Sequence, residues 1–369
     1  MAETQSQLTI LHAAETIRGG IATYFNELHT LQRSSFRQVH YVIPADHRSE
    51  LVEIDDKSIS LFTRSGRNFA SLFRLAHQTI RQIRLLRPDI VHIHSTLAGL
   101  VLRPILILMP SRPRIIYCPH GWAFSRETSR ASTVVASLFE RVLAALTDRI
   151  ICISHDEYTA ACRAGMSEER LSLVISGLSA TRKKPDRSNS TWPTKRLKVL
   201  FIGRLDRQKG FDLLIEAAQT LKNLAEVRMI GSPVVNSRER FQIPSNVELL
   251  GWLERKEIEV QLDLADLTVI PSRWEAFGFV ALEAMRAKKA IVAFRAGALP
   301  EIVENEITGI VCEPGSAHAL REGLLRAMEH DLIAMGQRGF ERFEERFSIE
   351  RTHSALAEVY NSVLEMRRK

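Results

Sequence analysis

Pro271-Ser-Arg-Trp-Glu275-Ala-Phe-Gly278-Phe-Val-Ala-Leu-Glu283-Ala-Met285 places two carboxylates eight positions apart across a strand-to-helix turn. The apolar run 267–270 before it reads as a short buried strand, and 279–287 after it, rich in Ala, Leu, Glu and Met, reads as a helix. Glu275 then falls in the loop at the strand's C-terminal end and Glu283 in the helix's second turn. Between them, Phe277-Gly278-Phe279 lies where the first helical N–H groups lack partners and the helix dipole is positive. Such an end binds phosphate or sugar oxygens through backbone donors, and Gly278 lets a ligand come close. The two carboxylates accept hydrogen bonds from sugar or ribose hydroxyls. The same residues also suit an ordinary helix start with acidic residues in favourable places.

A strand, a turn and a helix in that order belong to an α/β architecture, and the rest of the chain repeats the pattern. In the first half, strands are expected at 8–11, 39–43, 88–94, 115–118, 149–153 and 171–175, and helices at 21–32, 68–86, 128–146 and after Ser154-His-Asp-Glu157, which reads as a capping box. A polar stretch with two prolines, 181–193, reads as the boundary. The alternation restarts with strands at 197–202, 227–230, 247–250, 267–270, 290–293 and 309–312, and helices at 211–224 and 254–264. Gly231-Ser-Pro reads as a turn, and further helices run to the C-terminus. Strands alternating with helices in both halves predict parallel sheets covered on both faces. The expected architecture is two Rossmann-like domains, 1–180 and 194–347, facing across a cleft, with 348–369 as a C-terminal helix.

Composition narrows the function classes. The 369 residues are 45% hydrophobic and 25% charged, as in soluble globular proteins. The four cysteines, Cys118, Cys152, Cys162 and Cys312, form no CxxC pair, which suits a reducing cytosol better than a disulfide framework or zinc site. The polar start, 1–7, is no secretory signal, and the most apolar run, 97–109, is too short to span a bilayer. Residues 1–185 carry 23 Lys and Arg against 16 Asp and Glu, an excess equal to the whole formal charge of +7. An acidic partner of the first half follows: a phosphorylated acceptor, an anionic membrane or nucleic acid. The helix at 68–86 sharpens this. Phe69, Leu72, Phe73, Ala76, Ile80 and Ile83 recur at helical spacing as its apolar face, opposite Arg74, His77, Arg81 and Arg84. No nucleic-acid motif or stacking platform accompanies the charge, so nucleic acid is set aside.

Several turns carry candidate chemistry. Gly19-Gly20 opens the first helix as a backbone cradle. His92 and His94 share a strand face and read as structural or cleft-lining. His120, in Pro119-His120-Gly121, stands at a strand's C-terminal end, where open α/β sheets bind ligands. Arg204 and Lys209, in the loop 203–210, are two cations between a strand and a helix, suited to a diphosphate. The loop is not a Walker motif, no GxGxxG follows the first strand, and no Asp-x-Asp pair stands ready for Mg²⁺ or Mn²⁺. No metal and no cofactor is expected.

Taken together, Glu275-x7-Glu283, Gly203-Arg204 with Lys209-Gly210, the early Gly19-Gly20, Pro119-His120-Gly121 and Gly297-x-x-Pro300-Glu301 resemble the GT-B retaining glycosyltransferases of family four over nearly the whole chain. The resemblance implies roles. Glu275 would bind hydroxyls of the donor sugar and Glu283 the nucleotide's ribose. Arg204 and Lys209 would hold the diphosphate, and His120 would face the sugar. Gly19 and Gly20 would approach the phosphate, and Phe277, Gly278 and Phe279 would complete the donor pocket. The C-terminal helix would cross back onto the first domain. The reaction implied is retaining, metal-independent transfer of a hexose from a nucleotide-diphosphate sugar, UDP-sugar foremost, to a glycan or lipid-linked hydroxyl, with domain closure excluding water. His120-Gly-Trp-Ala-Phe124 also resembles bacterial enzymes of exopolysaccharide and lipopolysaccharide assembly, which implies a cytoplasmic protein peripheral to the membrane's inner face. Ala276, Ala298 and Ser176-Gly177-Leu178 depart from the family's usual Gly, Gly and Pro-Asn-Gly. A sugar-nucleotide epimerase, a phosphorylase or a non-catalytic sugar-nucleotide-binding subunit could use the same fold.

Overall fold

The computed structural model describes residues 7–126, 129–182, 190–232 and 242–366. The chain divides into two compact units, Met1–Ser179 with Ile349–Lys369, and Ala180–Ser348. Each is Rossmann-like, a parallel sheet with helices.

In the first unit the strands are β1 (Thr9–Ala14), β2 (Gln38–Pro44), β3 (Ile59–Phe62), β4 (Ile90–His94), β5 (Arg114–Cys118), β6 (Arg149–Cys152) and β7 (Leu171–Leu173). They form one sheet in the order β3-β2-β1-β4-β5-β6-β7. Its helices are α1 (Gly20–Ser35), α2 (Phe69–Leu86), α3 (Thr96–Ile107), α4 (Arg130–Ala144) and α5 (His155–Arg163). The central strands are buried along their whole length, as their Ile-, Val- and Leu-rich runs require. Strand order reverses between β1 and β4, and the chain leaving both strands at that point is where such sheets take ligands.

One buried network fixes the next strand, β5. Arg103 of α3 is fully buried, with its guanidinium 3.9 Å over the Tyr117 ring and 2.6 Å from Glu140 of α4. Tyr117 donates its hydroxyl to the same carboxylate at 3.1 Å. Gly99 permits this contact, since a side chain there would fall 2.5 Å from Tyr117. Two helices are thereby keyed to the strand that ends three residues before Gly121.

The second unit holds β8 (Leu197–Ile202), β9 (Ala225–Ile230), β10 (Val247–Gly251), β11 (Leu267–Ile270), β12 (Ala290–Phe294) and β13 (Gly309–Cys312), in the order β10-β9-β8-β11-β12-β13. Its helices are α6 (Phe211–Thr220), α7 (Arg255–Leu264), α8 (Phe279–Arg286), α9 (Leu299–Ile302), α10 (Ala317–Met328) and α11 (Leu332–Arg346). The switch point here lies between β8 and β11. The last helix, α12 (Ile349–Glu365), belongs to the first unit, where the Tyr360 hydroxyl meets His92 at 2.8 Å.

Four readings of the sequence are corrected. Strand β1 runs on through His12 to Ala14, because its register continues against Tyr41 and His92 on either side. The edge strand β3 has no counterpart among the expected strands, being short and largely half-exposed. Helix α6 stops at Thr220, where the Asn246 amide takes the Ala218 and Ala225 carbonyls at 3.0 Å each. Helix α2 buries Ala76 and Ile83 of the predicted face together with Ser71, Leu75, Thr79 and Gln82, and leaves Phe69 and Phe73 exposed beside its arginines. Thr128 of the helix predicted at 128–146, Pro233 of the Gly231 turn and residues 183–189 of the predicted boundary lie outside the described residues. The four cysteines are free.

Candidate active site

The second unit's switch point is built from loops that glycines allow to touch. The loop after β8 contains one tight turn, Arg207–Lys209, capped by Asp206, whose carboxylate accepts the Lys209 amide at 3.0 Å. Gly210, at φ 68°, opens α6 so close to the next loop that an added Cβ would lie 1.9 Å from the Pro271 carbonyl. Gly231 presses the β8 loop from the other side, 1.9 Å from the Gly203 carbonyl by the same measure. Hydrogen bonds complete the bracing. The Arg273 amide donates to the Gln208 carbonyl at 2.8 Å, and its guanidinium grips Asp212 through two bonds of 2.8 and 2.6 Å. The Gln208 side chain donates to the Trp274 carbonyl at 3.3 Å.

This framework brings together residues 66 positions apart. The Lys209 ammonium pairs with Oε2 of Glu275, and Ser272 donates its hydroxyl to the same oxygen at 3.1 Å. Both charged groups are mostly buried. Lys209 and Glu275, predicted to serve the diphosphate and the sugar separately, are one ion pair here. Arg204 stays half-exposed, 2.8 Å from Gln208 Oε1 and 3.1 Å from Asp206 Oδ2. Gly297, at φ 51°, backs the site, since a Cβ there would fall 1.7 Å from the Glu275 carbonyl.

Gly278, at φ 106°, is the N-cap of α8, and a Cβ added there would fall 2.8 Å from Leu299 Cδ2 and 3.6 Å from Glu275 Cγ. Phe277 is buried and meets Phe279 edge-on at 5.3 Å. Glu283 is half-buried in the second turn of α8, as its position in the sequence requires. Ser272, Gln208, Arg273 and Asp212 went unassigned. Ser272, Gln208 and Arg273 lie in the same two loops and Asp212 in the first turn of α6, but the bonds they make cross between these segments and are invisible along the chain.

In the first unit, Gly19 (φ 81°) caps α1 with nothing within 4 Å of an added Cβ, and Gly20 beside it is exposed. His120 has φ 50° and Gly121 φ 108°, two left-handed residues in succession after β5. A histidine there is strained, and such strain gathers at functional turns. Glu157, from the predicted capping box, holds the turn in place. Its carboxylate accepts the Gly121 and Ile153 amides, and its carbonyl accepts the Trp122 indole N–H at 2.9 Å. Behind His120 lie His94, 2.8 Å away, and His12, a residue placed in a loop by sequence reasoning. Burial pushes His12 and His120 down to about 3 and His94 and His92 well below the ordinary imidazole range, so all four are neutral at pH 7.

The family model for glycosyltransferase family 4 matches residues 18–182, and that for glycosyl transferases group 1 matches 182–341. A 41.2 kDa uncharacterised protein from the cps region of Klebsiella pneumoniae is 31% identical over 82% of this chain and 86% of its own length. The chain belongs to the group 1 glycosyltransferases of family 4 type. This glycosyltransferase is also similar in fold to two solved structures. Sucrose-phosphate synthase from Thermosynechococcus elongatus has a TM-score of 0.83 at 18% identity, covering 97% of this chain and 99% of that one. HepE from Anabaena, in complex with UDP and glucose, has a TM-score of 0.77 at 18% identity, covering 96% and 100%. The glycosyltransferase is therefore a transferase of the GT-B fold. None of its described helices is long and apolar enough to cross a membrane.

Proposed function

We propose that this glycosyltransferase moves a hexose, with retention and without a metal, from a nucleotide-diphosphate sugar to a hydroxyl of a glycan or lipid-linked acceptor in cell-surface polysaccharide assembly. The observation that carries the reading is the Lys209–Glu275 pair, set in a locked loop with Arg204 at a switch point. An arriving diphosphate competes for the ammonium, and Glu275 is released to accept sugar hydroxyls. As the sugar C–O bond breaks, its electron pair goes to the departing diphosphate, and Lys209 and Arg204 stabilise that charge where it grows. The acceptor oxygen bonds the anomeric carbon on the same face and its proton passes to the departing phosphate oxygen. Glu283 takes the ribose hydroxyls, the backbone of Phe277 to Phe279 closes the donor site, and Gly19, Gly20 and His120 meet phosphate and sugar. UDP-sugar is the foremost donor, a choice favoured by the UDP held by HepE. The cps-region relative favours polysaccharide assembly.

A thermal-shift screen of UDP-, GDP- and ADP-sugars in EDTA tests the donor and the metal together. One nucleotide series should stabilise the protein by about 2.7 kcal/mol at a hundredfold excess over Kd. Stabilisation that appears only when a divalent cation is added would refute metal independence.

An anionic membrane at the cytoplasmic face completes the reading, and the surface of the first unit favours it. Helices α2, α3 and α4 pack in succession. Helix α4 exposes Val134, Val135, Leu138, Phe139 and Val142, and α2 exposes Phe69 and Phe73 beside Arg74, Arg81 and Arg84. Apolar side chains flanked by arginines suit an acidic bilayer surface. Sedimentation with vesicles containing phosphatidylglycerol should occur at low salt and be lost in a Leu138→Asp/Phe139→Asp variant. Failure of the wild type to sediment removes the membrane.

A further inference from the structure

A line of hydrogen bonds runs inward from His120. His120 Nε2 meets His94 Nδ1 at 2.8 Å, His94 Nε2 meets His12 Nδ1 at 2.9 Å, and His12 Nε2 meets Gln32 Oε1 at 3.0 Å. His94, His12 and Gln32 are buried, whereas His120 is partly exposed. His120 Nδ1 has no hydrogen-bond partner among the described residues.

A neutral imidazole carries one ring proton, so each contact between two histidines has one donor and one acceptor. The line therefore has only two internally consistent states: every ring protonated on Nε2, or every ring protonated on Nδ1. The far end chooses. A carbonyl oxygen accepts only, so Gln32 Oε1 requires a proton on His12 Nε2. His12 Nδ1 must then accept from His94 Nε2–H, and His94 Nδ1 from His120 Nε2–H. Beside that line, Tyr360 bonds His92 Nδ1 at 2.8 Å.

We propose that Gln32, His12 and His94 are positioning residues that fix the tautomer of His120, so that its Nδ1 is a bare acceptor selecting a hydroxyl group of the sugar. This rests on the reading that His120 meets the sugar. Fluorine in place of that hydroxyl cannot donate, and a phosphate or carbonyl oxygen would be repelled by the Nδ1 lone pair.

The test separates the relay from that reading. Long-range ¹H–¹⁵N spectra of ¹⁵N-histidine-labelled full-length protein, without ligand at pH 7, should show the Nε2–H tautomer for His12, His94 and His120. Gln32→Glu, which keeps an acceptor, should preserve it, and Gln32→Met should give mixed tautomers. An Nδ1–H or doubly protonated His120 in the wild type overturns the relay and leaves the function standing. So does stoichiometric metal retained after purification, since His12, His92 and His94 lie close enough to share an ion. The second arm uses monodeoxyfluoro analogues of the turned-over nucleotide sugar. One analogue should lose on the order of 10-fold in kcat/KM with the wild type and with Gln32→Glu, but only about twofold with Gln32→Met. Correct tautomers with no such change in selectivity would overturn the contact between His120 and the sugar.

Discussion

Lys209→Ala should lower kcat by about 10²-fold or more with a nucleotide-sugar donor and EDTA present, while the protein stays folded by circular dichroism. Two losses add in one substitution. The charge that meets the departing diphosphate is gone, and Glu275 loses the cation that sets its side chain, leaving it the Ser272 hydroxyl. Lys209 and Glu275 are both mostly buried, so an unpaired Glu275 also costs stability, roughly 1–3 kcal/mol. Lys209→Arg should recover only part of the rate, since a planar guanidinium does not replace a compact ammonium in a packed loop. The two groups touch, so the Lys209→Ala/Glu275→Ala double variant should be far from the sum of the singles. Additive effects would mean that the pair is incidental, and wild-type turnover by Lys209→Ala in EDTA would remove it from the reaction.

Gly297→Ala should be nearly as damaging, through the backbone alone. The added carbon would sit 1.7 Å from the Glu275 carbonyl oxygen, and a carbonyl cannot rotate aside as a side chain can. The Glu275 loop must move by more than about 1 Å, a displacement that costs on the order of 10² in rate at a reacting centre. Gly251→Ala supplies the control. It has a similar positive φ, 71°, and nothing within 4 Å of the new carbon. Its loss of stability, about 1 kcal/mol, measures the backbone conformation by itself. If Gly297→Ala matches Gly251→Ala in both kcat/KM and melting temperature, the close approach to Glu275 has no functional consequence.

The legible part of the site is local. β11 and β13 run over the residues their apolar stretches indicated, and α8 begins at Phe279 just past its glycine cap. Glu275, Glu283 and Gly278 take the positions that a strand, a turn and a helix dictate, because those elements are set by neighbours within a few residues. Periodicity also found α2, but the buried face is turned from the predicted one and shares only Ala76 and Ile83 with it. Periodicity reports which residues share a side of a helix, not which side a sheet and a neighbouring helix will cover. Phe69, 92% exposed, and buried Thr79 show the difference.

By itself, then, the sequence determined the alternation of strands and helices, hence two parallel sheets, and it placed Arg204, Lys209 and Glu275 in loops at strand ends and Glu283 in the following helix. Only the tertiary structure decided what those groups touch. The Lys209–Glu275 pair spans 66 residues and the His12–His94 bond 82, and neither distance leaves a trace in any local pattern. Contacts of that range exist because neighbouring parallel strands are joined by long crossovers, so loops far apart in the chain emerge side by side at one sheet edge.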